Sequence, residues 1–433
     1  MCFMRLRLCL AANRPRRVLV ALALLASAIS AAPLSGGGRA TLAPEPEVRA
    51  LWVLRTSLTS PAGITALVRS AREHGFNTLL VQVRGRGDAY FNQGIEPRAA
   101  ELQRQPAQFD PLETVLTAAH AAGLNVHAWV NVNLVSSAVD LPTARDHLVH
   151  RHPEWLMVPR DIAQELSAVP TDSPGYLGKL ARWTRAQPGE LEGLYASPIA
   201  PAAVDYLETV VRDLAKRYPL DGMHFDYARY PNARFDYSRT AIAEFRAAVR
   251  PRLSQGLRRQ LDAREKVDLF AYPDALPDDW RGVRVTRRTM LMRRLREAVK
   301  SERADALVTV AAKPDLRESY DDRLQDWGTW LQSGIVDVVC PMAYTPDPAR
   351  FAEQIAAARA VSSGHPIWAG IGAYRLSPSQ TVENIQTARR LGAAGVILFS
   401  YDSLNDPHVS APDYLAQVAR AAFAPHGAAP GSR

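Results

Sequence analysis

Leu220-Asp221-Gly222-Met223-His224-Phe225-Asp226-Tyr227-Ala228-Arg229-Tyr230-Pro231 begins as a buried strand and ends in a polar, aromatic and basic cluster. Neighbouring side chains on a strand point to opposite faces. Met223 and Phe225 therefore share an apolar face, and Gly222, His224 and Asp226 share the other. A carboxylate at the end of an apolar strand, followed by Arg229, Tyr230 and Pro231, suggests an active site. An ordinary polar turn is the plainer alternative. The architecture on either side decides between them.

Seven more segments read as strands: 48–55 (VRALWVLR), 76–84 (FNTLLVQVR), 124–133 (LNVHAWVNVN), 306–312 (ALVTVAA), 335–344 (IVDVVCPMAY), 366–374 (PIWAGIGAY) and 395–402 (GVILFSYD). Helical spacing fills the intervals at 64–74, 111–122, 202–217, 284–304, 321–333, 349–361 and 379–391, with Gly75 and Gly123 as stops. Strands that alternate with helices imply right-handed crossovers and a parallel sheet. Eight such units predict an α/β fold, a (β/α)8 TIM barrel with long loops after strands 3 and 4. A doubly wound sheet would normally carry a Gly-rich phosphate turn after its first strand, and residues 55–63 have none. Gly85-Arg86-Gly87 is too short for a dinucleotide fingerprint. The two long loops, 134–201 and 231–283, flank the opening strand at the barrel's C-terminal face, where barrels build their sites. Both are expected to wall a groove, the second bringing Tyr237, Phe245, Tyr272 and Trp280.

The formal charge of +8 invites a nucleic-acid reading, but Arg5, Arg7, Arg14, Arg16 and Arg17 all precede a short apolar run from Val18 to Ile29. That is the layout of a secretory signal, with small residues to Ala31 for cleavage. Removing those five arginines from 52 basic residues leaves 47 against 44 acidic, a charge of +3. The expected organisation is a signal peptide at 1–31, a Gly- and Pro-rich linker at 32–46, the barrel at 47–425 and a disordered tail at 426–433. Export to the periplasm or the extracellular space follows, with no nucleic acid as partner and no membrane span in the mature chain. Cys2 and Cys9 fall in the leader, which leaves Cys340 without a disulfide partner.

The strand ends bring carboxylates, amides, cations and aromatic rings to one mouth. The candidates are Arg84 and Asp88 at the second strand, Trp129 and Asn131 at the third, and His224, Asp226, Arg229 and Tyr230 at the fourth. Lys313, Tyr344, Tyr374 and Asp402 close the circle. Such a mixture suits a polysaccharide, since rings stack on pyranose faces while carboxylates and amides bind hydroxyls. Glycosidic cleavage needs a pair of carboxyl groups. Asp226 is the strongest candidate; Asp402, Asp88 and Asp315 compete for the second place, and Asp402 is taken as its partner. Asp221 and Asp337 begin strands and read as caps at the barrel's bottom. Arg84 and Lys313 also fit ion-pair roles, and Trp52, Trp129 and Trp368 also fit the core. A metal set of His127, His224 and Asp226 is the rival chemistry. No cofactor is implied, and no Gly-x-Ser-x-Gly elbow supports a serine nucleophile.

These residues resemble the glycosyl hydrolase-like 10 family of bacterial exported proteins. The resemblance rests on Asp221 to Tyr227 with Arg229-Tyr230-Pro231, and on Arg49-Ala50-Leu51-Trp52, Val81-Gln82-Val83-Arg84 and Asp110-Pro111-Leu112. It continues through His127-Ala128-Trp129, His152-Pro153-Glu154-Trp155, Pro341-Met342-Ala343-Tyr344 and Phe399-Ser400-Tyr401. It implies a TIM barrel acting outside the cytoplasm on cell-envelope polysaccharide, including peptidoglycan strands stripped of their peptides. Many members have two consecutive aspartates at the opening motif, where this chain has Asp226 followed by Tyr227. Two alternatives stand beside a glycosidase that depends on Asp226: a glycan-binding barrel without catalysis, and the metal-dependent hydrolase.

Overall fold

Eight short apolar runs become eight parallel strands: β1 (Val48–Val53), β2 (Thr78–Arg84), β3 (Asn125–Asn131), β4 (Gly222–Asp226), β5 (Leu307–Ala312), β6 (Val338–Ala343), β7 (Trp368–Ile371) and β8 (Gly395–Phe399). In this computed structural model, which describes residues 46–423, each strand pairs with the next and β8 returns to β1, closing the barrel. The fold is a TIM barrel. The expected signal peptide, the tail and the linker except Pro46 lie outside the described residues.

Eight helices ring the barrel: α1 (Pro61–Glu73), α2 (Pro111–Ala121), α3 (Pro201–Arg217), α4 (Pro277–Glu302), α5 (Trp327–Gln332), α6 (Pro348–Val361), α7 (Pro378–Arg390) and α8 (Tyr414–Ala422). Their starts follow local chemistry. Ser60, Asp110, Asp347 and Ser377 each accept a first-turn amide, and a proline opens the helix behind each of them. Gly75 and Gly123 lie just past α1 and α2 at positive φ, as predicted. Two intervals differ from the expected spacing. α4 starts seven residues earlier than 284, absorbing Trp280, and the segment expected at 321–333 divides into Leu316–Asp321 and α5.

The main core lies between strands and helices, and large rings fill the barrel itself: Trp52, Trp129 and Trp368 around Cys340. Glycine on an adjacent or nearby strand makes the room. A Cβ at Gly222 would stand 2.4 Å from the His127 ring, and one at Gly370 would stand 2.8 Å from Trp52. The inward face read for β4 is thus confirmed at Gly222.

The two long insertions pack on each other. Leu156, Leu166 and Leu180 from the first share a core with Phe245 and Tyr272 from the second. Buried Asp236 accepts the amides of Val158 and Ser238, which stitches the insertions together. Tyr237, Phe245, Tyr272 and Trp280 are buried in this shared core, so they do not wall a groove. Apolar side chains on two adjacent loops find each other before they stay exposed to water.

Candidate active site

A cleft of about 710 Å3 opens at the C-terminal rim of the barrel, a size suited to a small-molecule or oligosaccharide segment. Its floor is set by β3 and β4, whose last residues Asn131 and Asp226 are register partners. Asp226 is nearly buried, at 6 % exposure, with its Oδ1 fixed from two sides. The Arg229 guanidinium donates to Oδ1 at 2.8 Å, and the Tyr227 amide donates to the same atom. Tyr227 takes φ +49°, which turns the chain sharply after Asp226, a conformation an aromatic residue adopts only when its surroundings hold it. The Arg229 guanidinium over the Tyr227 ring, 4.2 Å from its centroid, supplies that hold. Oδ2 has no protein partner among the described residues and is not sealed from solvent. Burial disfavours the charge on Arg229, but the Asp226 carboxylate outweighs it and holds the guanidinium firmly protonated.

Aromatic rings form the walls. Trp129 donates from Nε1 to Asn131 Oδ1 at 2.8 Å, and Asn131 donates to the Gly85 carbonyl at 2.8 Å, so both are fixed in place. Tyr344, Tyr374 and Phe399 meet edge to face or tilted on the far side, and Trp52 reaches the same cleft. Burial and then the Asp226 charge push the Tyr344 phenol well up, which keeps it a hydrogen-bond donor. Lys313 lines the cleft, its Nζ 3.9 Å from Glu318. Asp226, Trp129, Asn131, Arg229, Lys313, Tyr344 and Tyr374 thus come together as read from the strand ends.

Five expected site residues stand elsewhere, each for a definite reason. Strand alternation puts Gln82 and Arg84 on one face, but a register irregularity between them redirects Arg84. Its guanidinium makes three hydrogen bonds to buried Glu96 and one to the Asn131 carbonyl, outside the cleft. Asp88 accepts the Arg86 amide at 3.0 Å as a turn residue. His224 lies fully buried below the floor: Trp52 donates to Nε2 at 3.0 Å, so Nδ1 carries the proton and donates to Thr309 at 2.8 Å. Tyr230 is buried with the Arg288 guanidinium 4.7 Å from its ring centroid. Asp402 accepts from Leu54 N at 2.7 Å, Thr56 Oγ1 at 2.9 Å and Ser57 Oγ at 2.7 Å. It anchors the turn after β1 and is not among the residues that line the cleft.

The metal set of His127, His224 and Asp226 does not fit this geometry. Both nitrogens of His224 are engaged, and among the described residues no three His, Cys, Asp or Glu side chains converge as ligands. Burial holds both histidines neutral, His127 down to about 4 and His224 well below its usual range.

The structure adds residues that strand ends did not disclose. Glu192 comes from the first insertion, its Oε2 accepting from the Tyr195 hydroxyl at 2.5 Å, and Glu318 follows β5. Arg55 and Arg86 line the β1–β2 side. Glu192 had no legible signal, because it is some sixty residues beyond its strand and only the folding of the insertion brings it back.

Comparison with known proteins agrees with this barrel. The family model for glycosyl hydrolase-like 10 matches residues 47–387. The chain is 23% identical over 331 residues to glycosyl hydrolase YngK of Bacillus subtilis, covering 69% of this chain and 54% of that protein. It is 24% identical over 291 residues to glycosyl hydrolase DigH of Escherichia coli K12, covering 63% and 55%. The chain therefore spans about half the length of the curated relatives it matches. The PgaB (BpsB) glycoside hydrolase domain from Bordetella bronchiseptica superposes with a TM-score of 0.60 at 18% identity, over 87% of this chain and 99% of that one, a likeness of fold. With most of its barrel matched by the family model, this chain belongs to the glycosyl hydrolase-like 10 family.

Proposed function

We propose that this protein is an exported glycoside hydrolase that cleaves O-glycosyl bonds in a bacterial cell-envelope polysaccharide, with peptidoglycan glycan strands as the substrate. The family and the glycosidase fold of its neighbours support a glycan-acting hydrolase in kind. The observation that carries the reading is Asp226. One oxygen is fixed by Arg229 and the Tyr227 amide, and the other is free in a cleft walled by aromatic rings. A carboxylate so held does not reorganise when positive charge develops at the anomeric carbon, which is the condition for electrostatic stabilisation of that transition state. Rings such as Tyr344, Tyr374 and Phe399, half-buried on the cleft wall, supply faces for sugars, and Asn131, Gln82 and Lys313 supply hydroxyl partners.

The second carboxyl group belongs to Glu192. Glu318 has Lys313 at 3.9 Å and Arg323 at 3.5 Å as cationic neighbours, and Asp402 is committed to the turn after β1. Glu192 keeps Oε1 free of protein partners among the described residues while Tyr195 fixes Oε2. Asp226 then engages the anomeric centre or its water, and Glu192 exchanges the proton with the leaving oxygen.

The test is incubation of the purified protein with peptide-free glycan strands, followed by mass analysis of soluble products and counting of new reducing ends. Release of defined oligosaccharides, unaffected by chelator, is the expected result. Retention on strands with no new reducing ends would replace this reading with a non-catalytic glycan-binding barrel, and neither retention nor release would remove both.

A further inference from the structure

Past the end of β3 the chain runs on, and residues 133–138 lie antiparallel to 192–196 as a two-stranded ribbon beside the cleft. The Ala196 amide donates to the Asn133 carbonyl at 2.7 Å, the Val135 amide to Leu194 at 2.8 Å and the Ala138 amide to Glu192 at 2.9 Å. The root of the ribbon is fixed as well. Val132 donates its amide to the Asp226 carbonyl at 2.7 Å, and the Asn133 side chain donates to the Ala196 carbonyl at 2.7 Å. Fully buried Arg288 on α4 donates to Asn133 Oδ1. One segment of chain thus bonds Asp226 at its start and Glu192 at its end.

Glu192 depends on that ribbon more than on packing. Its side chain is exposed, and among the described residues its one hydrogen bond comes from the hydroxyl of buried Tyr195. Burial, and then the Glu192 charge, push the Tyr195 phenol well up, which keeps its hydroxyl the donor. The same charge acts on Arg229, Tyr227 and Lys313, so the carboxylate is held over the cleft. Gly193, the next residue, is buried and decides how closely the two strands of the ribbon approach. A Cβ there would overlap the Ser136 carbonyl oxygen and stand 2.7 Å from its carbon. The obstacle is backbone, so no rotamer relieves it. The need is one of space and not of conformation, since the φ of Gly193 is not positive.

We propose that this ribbon is the device that sets Glu192 against Asp226, with Gly193 and Tyr195 as positioning residues for the reaction. This rests on the glycosidase reading, in which Glu192 gives its proton to the leaving oxygen as the bond from that oxygen to the anomeric carbon breaks. Catalytic groups must be held within about 0.5 Å of their working geometry. A side-chain carbon at 193 is admitted only by displacing the backbone of Ser136 or Glu192 by more than that.

The experiment uses two substrates. One is peptide-free glycan strands, whose leaving sugar hydroxyl needs the proton. The other is the 2,4-dinitrophenyl glycoside of the oligosaccharide that the wild type releases from them, whose phenolate leaves without it. Values of kcat/KM are compared, since they report the bond-breaking step. Gly193→Ala should lose about 10^2-fold on strands and keep close to the wild-type value on the dinitrophenyl glycoside. Tyr195→Phe should lose about tenfold on strands alone, and it carries the test if Gly193→Ala does not fold. In a Glu192→Gln background, Gly193→Ala should cost little more on strands, because the group it misplaces is already gone. Equal losses on both substrates would mean that the ribbon only supports the fold; they overturn the positioning role and leave the glycosidase reading intact. Wild-type values on strands from both variants do the same. A wild-type protein that cuts no strands removes both.

Discussion

At the bottom of β4, Asp221 Oδ2 takes the Val126 amide at 2.7 Å and His120 Nε2 at 2.8 Å; at the top, Asp226 keeps Oδ2 free. The bottom rim repeats itself at Asp337, which accepts from Val308 N, Arg296 and Lys300. Burial raises the Asp337 carboxyl, but those partners outweigh it and hold it below the ordinary range. Cavities show the same contrast. A groove of about 930 Å3 on the flank, between α2 and the end of α3, is larger than the cleft. There, Asp110 Oδ2 is taken by the Tyr218 hydroxyl and the Asn92 amide, and Arg217 by Asp213. Bonding capacity left over after folding, and not volume, distinguishes the rim proposed to act on a substrate from the rim that holds the barrel together.

The upper rim gains a second reactive carboxylate if Glu192 belongs to it. Glu192→Gln should lower turnover about 10^3-fold, within the range of a lost general acid–base, with unfolding unchanged; a variant of wild-type rate would strike Glu192 from the rim. Arg84 lies with the structural groups. Arg84→Met leaves Glu96 buried without its cation and should lower stability by about 3–5 kcal/mol in denaturant titrations. Unchanged stability would return Arg84 to the substrate.

Beneath the floor, the barrel's interior histidines predict a pH response. Both have folded pKa values depressed below their unfolded value, so the unfolded state binds more protons as pH falls. The stability due to a neutral interior is fully present above about pH 6.5 and is lost as pH falls towards 4, the His127 value. His127 alone should contribute roughly 3 kcal/mol over that window. Denaturant midpoints at pH 7 and 4.5 that coincide would contradict this. The smallest effect belongs to Asp402. Removing its three acceptor bonds by Asp402→Ala should destabilise by about 2 kcal/mol, with kcat within a few-fold of wild type; a kcat loss of 10^3-fold at unchanged stability would restore it as the catalytic partner.

The barrel was legible because its evidence is periodic: all eight apolar runs survive as strands, and the intervals between them as helices, with α4 longer than its expected span and the 321–333 segment divided. Asp226, Trp129 and Asn131 were legible for the same reason, since alternation assigns an inward face; Tyr344 and Tyr374 lie just past the ends of β6 and β7 and reach the cleft from there. Alternation failed at Arg84, where one register irregularity after Gln82 redirects the side chain. Asp402 and Tyr230 follow their strands' ends, where the chain bends into a helix or the insertion core and period two no longer applies. Glu192 was out of reach because its position depends on tertiary packing of a long insertion. Arg86 could have been found from its flanking glycines, which free a backbone to turn a cation into a cleft.

The central claim is that Asp226, with one oxygen fixed and one unspent, is the essential carboxylate of a glycan-cleaving cleft. Its direct test is the turnover of Asp226→Asn on purified glycan strands, with Asp221→Asn assayed beside it. The account predicts turnover reduced by about 10^3-fold or more in Asp226→Asn, with its folded structure kept, and near-normal kcat with a lowered melting temperature in Asp221→Asn. Wild-type turnover by Asp226→Asn would contradict it.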